Sequence, residues 1–214
     1  MHIIGAGLLG TSIGLALSEK GVDVTLADQS PTAVRLAVDY GAGRAPRADD
    51  RPGLVVVAVP PDVTAATVAQ ALAQHPDALI TDVASVKGSV LAELRALGAD
   101  VSRYLGTHPM AGRERGGPIS ARADLFLGRP WVLAGHEGIS YRRAGAIEDL
   151  ILDVGAVPIE MSVDEHDRSV AMVSHVPQLV ASAMAARLRD ASNGAVGLAG
   201  QGVRDVTRIA ASDP

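Results

Sequence analysis

Residues 1–28 read MHIIGAGLLGTSIGLALSEKGVDVTLAD, and this stretch decides the fold. Met1 to Ile4 form a short apolar run that stops at a glycine. Gly5, Gly7 and Gly10 then stand at GxGxxG spacing and open a segment with helical periodicity that continues to about residue 20. A second apolar run, Val22 to Ala27, ends in Asp28, 21 residues after Gly7. Strand, glycine turn, helix, strand and acid, in that order, predict a dinucleotide-binding βαβ unit. Each glycine has its own task there: a tight turn, close approach of backbone to a pyrophosphate, and close packing of helix on strand. Gly5, Gly7, Leu8, Leu9 and Gly10 are therefore the expected cofactor contacts, with the phosphates at the helix N-terminus. Asp28 is placed to accept hydrogen bonds from both ribose hydroxyls and to repel a 2′-phosphate, and the residue after it is Gln29, not an arginine. NAD is the expected cofactor.

Outward from this unit the alternation continues. Strand candidates are Met1 to Ile4, Val22 to Ala27, Leu54 to Val59, Leu79 to Val83, Arg103 to Thr107, Trp131 to Ala134 and Val157 to Glu160. Helical segments fall between them near residues 8–20, 32–40, 63–74, 87–97 and 141–153. Such alternation predicts an α/β fold with a Rossmann-type, doubly wound parallel sheet over residues 1–160. The run VVVAVPP at 55–61 reads as the strand arriving under the nicotinamide half, with Val59 and Pro60 as contacts. After Glu160 strand signals stop, and residues 163–190 read as one long apolar helix carrying Pro177. Residues 161–214 are thus expected to begin a second, all-helical domain. About 50 residues are short for a unit with its own core, so that domain is expected to be incomplete in this chain.

Composition narrows the function. Of 214 residues 48% are hydrophobic and 20% charged, which excludes a disordered chain. A formal charge of −5 argues against nucleic acid or an anionic membrane as partner and favours small soluble ligands. With no cysteine there is no disulfide framework, thiolate metal site or cysteine nucleophile, no metal is expected, and a reducing, cytoplasmic setting fits. Two apolar stretches imitate membrane signals. Residues 1–17 lack a basic leader and carry four glycines, and the uncharged run from Ser169 to Ala186 is interrupted by Ser, His, Pro and Gln. Neither is expected to be a signal or a span.

Two further segments carry candidate chemistry. TDVASVKG, residues 81–88, follows a strand. Ser85 reads either as a helix N-cap or as a functional hydroxyl. Lys87 in the first turn opposes the helix dipole, which predicts an anion beside it. GTHPMAG, residues 106–112, places His108 at the carboxyl end of a strand, where open α/β sheets set their ligands. His108 is a candidate general base, with a structural loop histidine as the alternative.

GAGLLGTSIG, TDVASVKG, GTHPMAGRERGGP, HDRSVAMVSHVPQLVA and VRDVTRIAASDP, read in order, resemble the prephenate and arogenate dehydrogenase family of tyrosine biosynthesis, from residue 5 to the last residue. The resemblance implies NAD-dependent oxidative decarboxylation of prephenate to 4-hydroxyphenylpyruvate, with arogenate as the alternative substrate. It also implies His108 as the base that accepts the hydroxyl proton, Ser85 as hydrogen-bonded to that hydroxyl and to the histidine, and Arg204 as the arginine on the ring carboxylate. Arg208, one turn further, reads as structural. Lys87 is expected to help hold the dianionic substrate. Ser174 and Gln178, on one face of the long helix, would meet its side-chain end. Many family members have His where this chain has Gln178, which leaves the choice of substrate open. His166 and His175 read equally as structural or functional. Arg113 and Glu114 read as solvated loop charges or as a pocket gate. Family members usually dimerise through the helical domain, so a homodimer is expected. A non-catalytic NAD-binding regulatory module is the reading from a different class.

Overall fold

A computed structural model describes residues 1–113, 115–139 and 141–211. It divides into two compact units, Met1–His166 and Asp167–Pro214.

In the first unit the chain runs β1 (His2–Ile4), α1 (Leu8–Ser18), β2 (Thr25–Ala27), α2 (Pro31–Asp39), β3 (Leu54–Val57), α3 (Pro61–Gln74), β4 (Leu79–Asp82) and α4 (Gly88–Ala96). These strands form an all-parallel sheet in the order β2-β1-β3-β4. Ile3 pairs with Leu26 on one side and Val56 on the other. All four residues of β3 are buried, the pattern of a central parallel strand covered on both faces. From β1 the chain winds to β2, then returns across β1 to β3, so the strand order reverses between β1 and β3. Open α/β sheets bind their ligand at the carboxyl ends of the strands at such a point.

The rest of the unit differs from a single doubly wound sheet. β5 (Gly106–Pro109), β6 (Pro130–Gly135), α5 (Gly145–Asp153) and β7 (Val157–Ser162) form a second sheet, β5-β6-β7, with its crossover helix. β6 is antiparallel to β5 and parallel to β7. The connections explain this. A parallel return needs a crossover, which α5 supplies between β6 and β7. Between β5 and β6 the described residues hold only the 3-10 turn Pro118–Ser120, so the chain comes back antiparallel. β5 keeps its parallel relation to β4 through one bridge, Ile80 with Tyr104, and through the Thr107 hydroxyl, which donates to the Asp82 carbonyl at 2.7 Å. α6 (Val163–Val170) follows β7.

The second unit, in its described residues, contains the π turn Ala171–His175, α7 (Val176–Arg187), α8 (Asn193–Gly197) and α9 (Gln201–Thr207). The long apolar helix expected here is present, with a widened turn ahead of Pro177, where the amide of Val176 donates to the carbonyl of Ala171. Proline lacks an N–H and its ring conflicts with the carbonyl four residues earlier; a π turn accommodates both. Met172, Val173, Val176, Leu179 and Val180 are each more than half exposed, a continuous apolar surface for so short a segment.

Candidate functional site

The glycine turn is built as its spacing requires. Gly5 has φ of +110°, and a Cβ on it would lie 2.2 Å from the carbonyl oxygen of Ala58 at the end of β3. A Cβ on Gly10 would lie 2.0 Å from the carbonyl oxygen of Gly5, so α1 sits directly on the turn. Gly7 faces open space: a Cβ there would meet nothing within 4 Å. Gly7 is also the N-cap of α1, and no side chain caps this helix end or places an acid in its first turn. The amides around Leu8 and Leu9 are therefore available to an anion.

Asp28 closes the same site. Its Oδ2 accepts the Ala6 amide and its Oδ1 the Ser30 amide, each at 2.7 Å. Two backbone donors thus orient a partly exposed carboxylate against the turn, and each oxygen keeps a second lone pair. Val59 and Pro60 follow β3, with Pro60 exposed at the start of α3. A tight turn, an open second glycine, a helix start without an acid and an oriented acceptor fit a dinucleotide.

Asp82, at the end of β4, is a hub that sequence reading missed. Fully buried, it accepts the Ala84 amide at 2.8 Å and the Lys87 ammonium on Oδ1, and the Tyr104 hydroxyl at 2.6 Å on Oδ2. Lys87 is 1% exposed. The anion expected beside Lys87 is thus supplied by Asp82 of the chain itself. Burial, then the Asp82 charge and hydrogen bond, push the Tyr104 phenol well above its ordinary pKa. Ser85 does not cap α4: the helix starts at Gly88 with Lys87 in the cap position. The Ser85 side chain is exposed, between the two ends of the Asp82–Lys87 pair.

His108 lies within β5, not in the loop beyond it, and pairs in register with Val132. The strand, more than Pro109, fixes its backbone. Its partly exposed ring places Nδ1 2.9 Å from Nε2 of His166, which is fully buried. Ser85 and His108 thus stand near the carboxyl ends of the neighbouring β4 and β5. In the loop after β5, Arg113 donates to the Ser120 carbonyl at 2.9 Å, and Glu114 lies outside the described residues.

The other expected site residues belong to the second unit. Arg204 is exposed on α9 and, among the described residues, forms no ion pair. The Gln178 amide donates to the Ile209 carbonyl at 3.1 Å, which ties α7 to the segment after α9. Ser174 and His175 are exposed in the π turn, and Arg208 is exposed at the end of α9. Ser212, Asp213 and Pro214 lie outside the described residues.

Fold and glycine turn define a Rossmann-type dinucleotide-binding protein. Residues 13–160 match the family model "Prephenate dehydrogenase, nucleotide-binding domain", and residues 162–214 match "Prephenate dehydrogenase, dimerization domain". The chain belongs to the prephenate dehydrogenase family. It is 41% identical to a probable prephenate dehydrogenase of Streptomyces niveus over 99% of this chain and 58% of that protein. A solved prephenate dehydrogenase from A. aeolicus, in complex with hydroxyphenyl propionate and NAD+, is similar with a TM-score of 0.86 and 29% identity, covering 100% of this chain and 78% of that one. Synechocystis arogenate dehydrogenase is similar with a TM-score of 0.82 and 25% identity, over 100% and 79%. The chain spans about three-fifths of the length of the first of these relatives.

Proposed function

We propose that the protein catalyses NAD-dependent oxidative decarboxylation of prephenate to 4-hydroxyphenylpyruvate. The observation that carries this reading is the placement of Ser85 just after β4, the edge strand of the sheet that bears the glycine turn, and of His108 on β5, which lies beside β4 and begins the second sheet. When bound, NAD supplies a two-electron acceptor for the hydride. The chain's own groups do the rest. Gly7 and the start of α1 take the pyrophosphate, and Asp28 takes the ribose hydroxyls. His108 accepts the proton of the ring hydroxyl as the C–H bond on that carbon breaks with its electron pair. Ser85 hydrogen-bonds the same hydroxyl. The bond to the ring carboxylate then breaks, its pair enters the ring, carbon dioxide leaves, and the phenolate oxygen of the now aromatic product recovers the proton. Arg204 grips that carboxylate beforehand, a task suited to a planar two-donor fork.

Arogenate is the second reading, favoured by Gln178 at the position where histidine is frequent and by the likeness to an arogenate dehydrogenase. The protein is further proposed to act as a cytoplasmic homodimer. The exposed apolar surface of the second unit and the dimerization-domain match support the dimer, and the absence of cysteine and the acidic charge support the setting. Steady-state turnover of the full-length protein with prephenate and arogenate, each paired with NAD and NADP, tests the proposal. Prephenate with NAD is expected to give the highest kcat/KM, and His108→Asn is expected to lower kcat by roughly 10² to 10⁴ with NAD affinity retained. Absence of turnover with either substrate, alongside intact NAD binding, would point instead to a regulatory module.

A further inference from the structure

We propose that His166 is the positioning residue of His108: its Nε2 accepts the Nδ1–H of His108 and so assigns proton transfer to Nε2 of His108. The inference rests on the reading of His108 as the base. Its structural origin is the second sheet. Val132 of β6 pairs with His108 of β5 on one side and with Ile159 of β7 on the other. β7 runs directly into α6, whose first turn delivers His166. One strand register therefore sets both rings, which meet edge to face with centroids 5.1 Å apart and planes at 73°.

Chemistry then selects the direction of the 2.9 Å contact. A neutral imidazole has one donor nitrogen and one acceptor, and the hydrogen bond at one nitrogen decides the state of the other. A base that works through Nε2 must carry its hydrogen on Nδ1. His166, fully buried, is in the place a carboxylate holds in a hydrolase triad. A neutral acceptor there orients the ring without setting a second charge beside the anionic substrate. After proton uptake both nitrogens of His108 bear hydrogen, and the Nδ1–H contact persists, so the ring need not turn during the reaction.

The test has two arms. In the unmodified full-length protein with ring-nitrogen-labelled histidine, a long-range proton–nitrogen correlation spectrum, assigned with His108→Asn, is expected to show His108 in the Nδ1–H form. In the kinetic arm, His166→Leu removes the acceptor. It should lower kcat about tenfold or more, with KM within about twofold. The acidic limb of kcat should move to lower pH, because the imidazolium loses its acceptor. His166→Gln, which returns an amide oxygen near the Nε2 position, should regain most of kcat. A His108→Asn protein that turns over normally overturns the base reading itself. If His108→Asn is inactive while His166→Leu matches the parent in kcat and pH profile, the positioning role alone is overturned. The Nε2–H form of His108 in the unmodified protein overturns it equally, and that measurement decides the matter if His166→Leu does not fold.

Discussion

The phenol of Tyr104 donates to Oδ2 of Asp82 while Lys87 occupies Oδ1, so one buried carboxylate ties the end of β4 to the start of β5 and to the loop that carries Ser85. Deprotonating Tyr104 would set a second buried anion against Asp82. The stabilisation that the protonated phenol gives is complete below its ordinary value of 10.0 and is lost as pH rises above it, since the unfolded chain then releases a proton that the folded one keeps. Spectrophotometric titration at the phenolate band follows this ionisation to alkaline pH. Tyr104 should ionise only together with unfolding, followed by circular dichroism.

Lys87→Met tests the same hub from the other side. Removing one partner of a buried ion pair costs about 3–5 kcal/mol. A clear fall in the denaturant midpoint is expected, with kcat lowered because the Ser85 loop loses one anchor. A variant as stable as the parent would show that Asp82 does not depend on the lysine.

The glycines separate folding from binding. Gly10→Ala drives a methyl into the Gly5 carbonyl, so thermal unfolding should move to clearly lower temperature. Gly7→Ala meets no protein atom, and its φ of −80° suits alanine. Its stability should stay within about 0.5 kcal/mol of the parent. The dissociation constant for NAD, measured by calorimetry, should nevertheless rise at least about tenfold, because the methyl enters the space a pyrophosphate needs. Unchanged NAD affinity in Gly7→Ala would remove the phosphate from this turn.

Asp28 governs cofactor choice. The parent protein should prefer NAD over NADP in kcat/KM by about tenfold or more, the cost of setting a 2′-phosphate against a carboxylate. Asp28→Asn keeps an acceptor for one of the two amides and removes the charge, so the preference should shrink. Equal kcat/KM with both cofactors in the parent would overturn the assignment.

Arg204→Gln removes the charge and the two-donor fork. Prephenate and arogenate share the ring carboxylate, so KM should rise about tenfold or more for both, with NAD binding unaffected. Gln178→His should instead change the kcat/KM ratio between the two substrates, since they differ only at the side chain. Unaltered KM for both substrates in Arg204→Gln would refute the ring-carboxylate role.

Much of this was legible in the chain itself. Gly5, Gly7 and Gly10 stand in a turn that demands them, and the strand at residues 54–57 is apolar throughout because both its faces are covered. Such features depend on backbone conformation and burial over a few neighbouring residues, so a linear pattern records them. The partner of Lys87 was half legible: its place at a helix start called for an anion, but not for Asp82, five residues earlier. Three features were decided only in three dimensions. β6 runs antiparallel to β5 because the 20 residues between Pro109 and Pro130 supply no crossover helix among those described. Ser85 is left uncapping and exposed because α4 begins at Gly88. His166 meets His108 across 58 residues of sequence. No local preference encodes that last contact, because it follows from the register of β5, β6 and β7, and register is a property of strands already paired.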